Sequence, residues 1–92
     1  MRKVFSLSHH KAPVTACEVA DDGLLGVTGG QDRTVAVWNL SSGTLIRIIK
    51  VQAFVANIKM TSLAKFMAVS LIDGTLILYE TLTGITWRSE KF

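Results

Sequence analysis

Three residues in this chain of 92 have the types of a nucleophile, a general base and an orienting acid: Thr28, His10 and Asp32. A hydroxyl relayed through an imidazole to a carboxylate is the arrangement that activates a weak nucleophile for acyl transfer. Such a site also needs to be exposed and to hold donors where an oxyanion develops. The sequence around these residues shows no such site.

Other reactive types carry less. His9 and His10 are neighbours, and adjacent residues at a strand end point to opposite sides. No cysteine or carboxylate stands at ligand spacing from them, so no metal is expected. Cys17, among Ala16, Val19 and Val27, reads as a small core residue. Asp21-Asp22 reads as a solvated turn. Gly29-Gly30 lies between two strands rather than between a strand and a helix, which argues against a phosphate-binding loop. No cofactor is expected, and the chain does not read as an enzyme.

The elements that would position these residues are short strands bounded by turn chemistry. Expected strands run over 3–8, 14–20, 24–29, 34–40, 44–49, 55–60, 65–70, 75–81 and 85–90. Asp21-Asp22-Gly23, Asp73-Gly74 and Thr83-Gly84 supply turns, because Asx side chains cap them and glycine tolerates positive φ. No helical periodicity extends beyond two turns. The pattern repeats once: Val14, Asp32, Thr34, Gly43 and Arg47 recur 41 positions later as Val55, Asp73, Thr75, Gly84 and Arg88. Trp38 recurs as Tyr79. A repeat of about 40–45 residues built from four short strands has the length of one propeller blade. Lettering a blade's strands a to d from the ring axis outward, the chain reads d, a-b-c-d, a-b-c-d. Residues 1–10 form an extra outermost strand, 11–51 a first repeat and 52–92 a second.

Totals constrain what such a chain does. A chain this short buries only about 60% of its unfolded surface when it folds alone, yet 49% of its residues are hydrophobic. Mean hydropathy is positive. The surplus calls for a partner surface. Leu45 to Ile58 is the most apolar stretch, but Arg47, Lys50 and Gln52 break it well short of the roughly 20 apolar residues a membrane helix needs. The N-terminus lacks a signal-peptide core, and a single cysteine permits no internal disulfide, so the cytoplasm is the expected compartment. Ten basic and seven acidic residues give a net charge of +3. The basic residues are scattered, which argues against nucleic acid as a partner.

The segment HHKAPVTACEVADDGLLGVTGGQDRTVAVWNLSSG resembles the WD repeat of β-propeller proteins. That pattern is Gly-His, a valine-led strand, a Pro-Asp-Gly-like turn, Ser/Thr-Gly-x-x-Asp and Trp-Asp. His9-His10 stands at the Gly-His position and Trp38-Asn39 at the Trp-Asp position. The second repeat fits less closely. More loosely, the chain is similar to WD repeats attached to NACHT-type ATPases in animal proteins. The resemblance implies an all-β fold of four-stranded antiparallel blades and a non-catalytic scaffold that binds peptides or proteins on one ring face. It also implies a structural tetrad of His10, Thr28, Asp32 and Trp38 in place of a catalytic triad. Indole N–H can only donate; Thr28 accepts it and passes its proton to His10, which donates to Asp32, so all four can be buried without an orphan. The matching positions in the second repeat are Val51, Val69, Asp73 and Tyr79. Losing donor and acceptor together is close to neutral, but that blade is expected to be the softer one.

Two blades cannot close a ring of four to eight. Identical copies can, in even numbers: a cyclic tetramer with eight blades is the expected form and a trimer with six the second. The N-terminal strand, with Val4, Phe5 and Leu7, is expected to clasp the next copy. Lys11, Gln31, Arg33, Phe54, Leu71 and Ile72 are the expected partner-binding residues, because apolar side chains at loop tips mark contact sites. The alternatives are an excised piece of a longer propeller, and a ligand-binding or enzymatic propeller that uses the central pore.

Overall fold

The computed structural model describes residues 12–20, 23–61 and 65–91. The N-terminal strand with Val4, Phe5 and Leu7, the His9-His10 pair, Lys11, Asp21-Asp22 and Ser62-Leu63-Ala64 lie outside the described residues.

Eight strands follow the repeat. They are β1 (Val14–Val19), β2 (Leu25–Gly30), β3 (Thr34–Asn39), β4 (Thr44–Lys50), β5 (Val55–Met60), β6 (Phe66–Leu71), β7 (Thr75–Glu80) and β8 (Thr86–Lys91). They form two four-stranded antiparallel sheets, β1-β2-β3-β4 and β5-β6-β7-β8, each in chain order. The fold is all-β. The β3–β4 and β7–β8 turns close alike. Gly43 and Gly84 sit at φ 75° and 73°, and their amides donate to the carbonyls of Asn39 and Glu80, both at 2.8 Å. A left-handed residue at that point is what glycine supplies without steric cost.

Even the irregularities repeat. The β1–β2 register skips Thr15, and β5–β6 skips Ala56. The β3–β4 register skips Ile46, and β7–β8 skips Trp87. Bulges add twist, so both sheets are bent at the same places.

The sheets stack face to face. Val27, Val35 and Val37 on the first sheet and Val55, Ile58, Val69 and Ile77 on the second belong to one buried cluster. The approach is closest at Gly29, where an added Cβ would stand 2.7 Å from Val55 Cγ1 and 3.1 Å from Ile58 Cδ1. Two polar contacts tie the stack at its inner and outer ends. The Thr15 hydroxyl donates to the Val55 carbonyl. Arg47 Nε donates to the Leu82 carbonyl at 2.8 Å.

Burial corrects two sequence expectations. Cys17 is exposed, not a core residue, because it pairs with Thr28 on the side of the first sheet that faces away from the second. Its repeat equivalent, Ile58, is buried. Leu71 is 3% exposed and cannot act as a contact residue at a loop tip. Strand β6 runs to Leu71, which pairs with Val55 and turns its side chain into the core.

Candidate functional site

On the first sheet one polar pair bridges two strands and one carboxylate closes a turn. Trp38 is buried and its Nε1 donates to Thr28 Oγ1 at 2.9 Å. The pair spans β2 and β3, whose register sets Thr28 opposite Ala36 and Trp38 opposite Gly26. Asp32 Oδ1 accepts from the Thr34 hydroxyl at 2.9 Å and from the Thr34 amide at 3.3 Å. That is an Asx-type closure of the β2–β3 turn. His10, the remaining tetrad position, is outside the described residues.

The second sheet uses a different device at the same corner. Asp73 Oδ1 accepts from the Thr75 amide at 3.0 Å, repeating the turn closure of Asp32. Gln52 then reaches in from the β4–β5 connection. Its Nε2 donates to Asp73 Oδ2 at 3.2 Å and to Thr75 Oγ1 at 3.0 Å, which uses both amide protons. Lys91 Nζ stands 4.0 Å from Asp73 Oδ2. The Thr75 side chain, the Thr75 amide and Gln52, in that order, hold the Asp73 carboxyl below its ordinary value of 3.8, and Lys91 adds to them. Sequence reasoning read Gln52 as a polar break in an apolar stretch and missed the tether. The available signal was its position, one residue after the apolar replacement for the histidine and in reach of a retained Asp.

These turns share one rim of the stack with the β4–β5 loop. The Gln31 amide donates to the Pro13 carbonyl, and the Ile72 amide to the Phe54 carbonyl, both at 3.0 Å. Pro13, Gln31 and Arg33 on the first sheet and Phe54 and Ile72 on the second are all exposed. Ile72 shows 65% of its surface. Arg33 adopts φ 62°, where the second repeat has Gly74 at φ 92°, so the guanidinium rises from a tight left-handed turn. Among the described residues, no group of three His, Cys, Asp or Glu could hold a metal ion, and no helix is long and apolar enough to cross a membrane.

The family described as WD domain, G-beta repeat matches residues 1–39. That match covers the N-terminal 39 of the 92 residues. The two sheets together have the fold of solved WD40-repeat structures. The crystal structure of the RRP9 WD40 repeats and the structure of U3-55K each match with a TM-score of 0.88 at 16% identity, over 94% of this chain. The chain spans 28% of the length of each of those structures. No curated protein matches the chain in sequence. In the lettering of the repeat the rim just described joins the d–a loops and b–c turns, and the Trp38–Thr28 bond links two of the four expected tetrad positions.

Proposed function

We propose that this chain is a non-catalytic scaffold for protein–protein interaction, whose copies assemble into a closed β-propeller and capture a peptide or protein segment on the rim. The observation that carries this reading is the rim itself. Phe54 and Ile72 stand exposed beside each other, and the Gln52–Asp73–Thr75 hydrogen bonds and the Ile72–Phe54 backbone bond fix the loops that carry them. Fixed apolar anchors bind with little ordering cost. Arg33 and Gln31 supply polar contacts around them, and Lys11 belongs to the same loop by sequence.

Two blades per copy permit only even rings. A cyclic homotetramer with eight blades is the proposed form and a homotrimer with six the second, joined head to tail. In either ring the N-terminal strand, through Val4, Phe5 and Leu7, clasps the neighbouring copy. The test combines native mass with capture of co-purifying partners. Phe54→Ala with Ile72→Ala should leave the mass unchanged and abolish capture; retained capture would remove the rim from the proposal. The short span relative to the solved propellers supports a second reading, in which the two blades are a portion of a longer WD protein.

A further inference from the structure

The two b–c corners of the rim differ in charge. In the second blade Gly74 takes the left-handed position of the turn, and Lys91 Nζ stands 4.0 Å from the Asp73 carboxylate. In the first blade Arg33 takes that left-handed position, and Lys50 is the repeat equivalent of Lys91. Asp32, Arg33, Thr34, Lys50 and Val51 line an open cleft. Both cations are exposed, and neither makes an ion pair among the described residues. Asp32, the carboxylate that shares the cleft, has Oδ1 engaged by the Thr34 hydroxyl and amide. Two cations against one carboxylate leave the cleft net positive. A bulky residue in the left-handed region carries a steric cost that glycine avoids, and strain of this kind collects at functional sites.

The connection that borders this cleft also carries the apolar pair. Lys50 ends β4, and the Val51 amide donates to the Arg33 carbonyl at 3.0 Å. Gln52 then holds Asp73 and Thr75, and the Phe54 carbonyl accepts from the Ile72 amide. Four positions separate Lys50 from Phe54, so their backbones stand at most ~14 Å apart. An extended segment crosses that distance in about four residues.

We propose that the occupant of the rim is an extended protein segment with an anionic side chain within about four residues of an apolar one. The anion enters the cleft between Arg33 and Lys50, and the apolar side chain seats on Phe54 and Ile72. The proposal rests on the rim reading above and specifies the chemistry of what the rim takes. Charge complementarity selects the anion, since opposite potentials across a contact set partner choice. The planar fork of Arg33 matches carboxylate and phosphate alike, so the anion is an acidic side chain or a phosphorylated hydroxyl. A nucleic-acid strand fits less well. Binding a strand takes a cationic groove along its backbone and aromatic platforms for its bases, whereas this cleft holds two cations and Ile72 is aliphatic.

The probe is an array of synthetic peptides that pair one glutamate with one leucine at a series of spacings in an alanine–serine background. Fluorescence anisotropy with the unaltered chain should find the tightest binding at a spacing of about three or four, weakening as salt is added. Glutamine in place of the glutamate should weaken it too, and phosphoserine in that place tells the two sources of the anion apart. Arg33→Gly removes the guanidinium while giving the turn the residue that the second blade uses, so native mass and unfolding midpoint should hold. Its affinity for the glutamate peptide should fall about threefold to fivefold at low salt. Adding Lys50→Gln should lower it further, while the glutamine peptide binds all three chains alike. Equal affinity for glutamate and glutamine peptides, with Phe54→Ala and Ile72→Ala still abolishing binding, overturns the anionic choice and leaves the rim reading standing. A thymidine oligonucleotide that displaces the peptide at equal concentration overturns it in favour of a strand. Binding at no spacing overturns the segment proposed here, and the rim is then judged by the capture of co-purifying partners alone.

Discussion

At the scale of single residues, the two corners of the rim show one structural need met by different side chains. In the first blade the buried indole of Trp38 relies on Thr28 for its acceptor. Thr28→Val keeps the shape of the side chain but leaves a buried donor without a partner. That typically costs about 1–3 kcal/mol, and it should appear as a lower denaturant midpoint with an unchanged slope. In the second blade Gln52 reaches Asp73 from a loop that has valine where the tetrad has histidine. The Asp73 carboxyl is held below 3.8, so its bonds stabilise the fold above that value and are lost as pH falls through the lowered one. Solvent screening keeps the effect small. Gln52→Ala should move the Asp73 titration back toward its ordinary range, a shift that carboxyl NMR would read directly. An Asp73 titration unmoved by the substitution would mean that Thr75 and Lys91 set it without Gln52.

At the scale of elements, the strands were readable because alternation and turn glycines agree. All eight expected strands over 14–90 appear within one residue of their observed bounds. The errors at strand ends have a common physical source. The β2–β3 and β6–β7 turns start one residue later than turn composition suggested, which carried Leu71 from a supposed loop tip into the core. Composition marks a turn but not the last ladder bond before it. The bulges at Thr15, Ile46, Ala56 and Trp87 left no signal, since any residue can occupy them. Cys17 escaped for a different reason. Its strand was read correctly, but its burial depends on a sheet that this stack does not contain, and no local pattern encodes that.

The contact between the two elements turns on Gly29. A methyl there meets Val55 and Ile58 at distances real side chains avoid, so Gly29→Ala should push the blades apart and cost about 1–3 kcal/mol, as overpacking usually does. Val55→Ala in the same chain should recover part of that loss, because the two positions touch and their effects are coupled. Additive losses in thermal unfolding would show that the blades meet elsewhere.

For the whole molecule, the balance of surface decides. One blade pair has a single seam, and its two ends leave Val14, Val19, Leu76 and Trp87 exposed. Repeat units of this kind bury their faces only against neighbours, and about three or more are needed for stability. A closed ring gives every blade two neighbours, so each copy that joins contributes a seam that the isolated pair lacks. In the proposed ring, association and folding are linked by mass action, and the unfolding temperature depends on protein concentration. For a chain of 10.0 kDa, ultracentrifugation should show a species near four times that mass at high concentration. Scanning calorimetry across a hundredfold dilution should show a falling midpoint. A midpoint that holds constant, with the mass at one chain, would mean that the seam between Gly29 and Val55 and the tethers at Thr15 and Arg47 suffice to hold two blades without a ring.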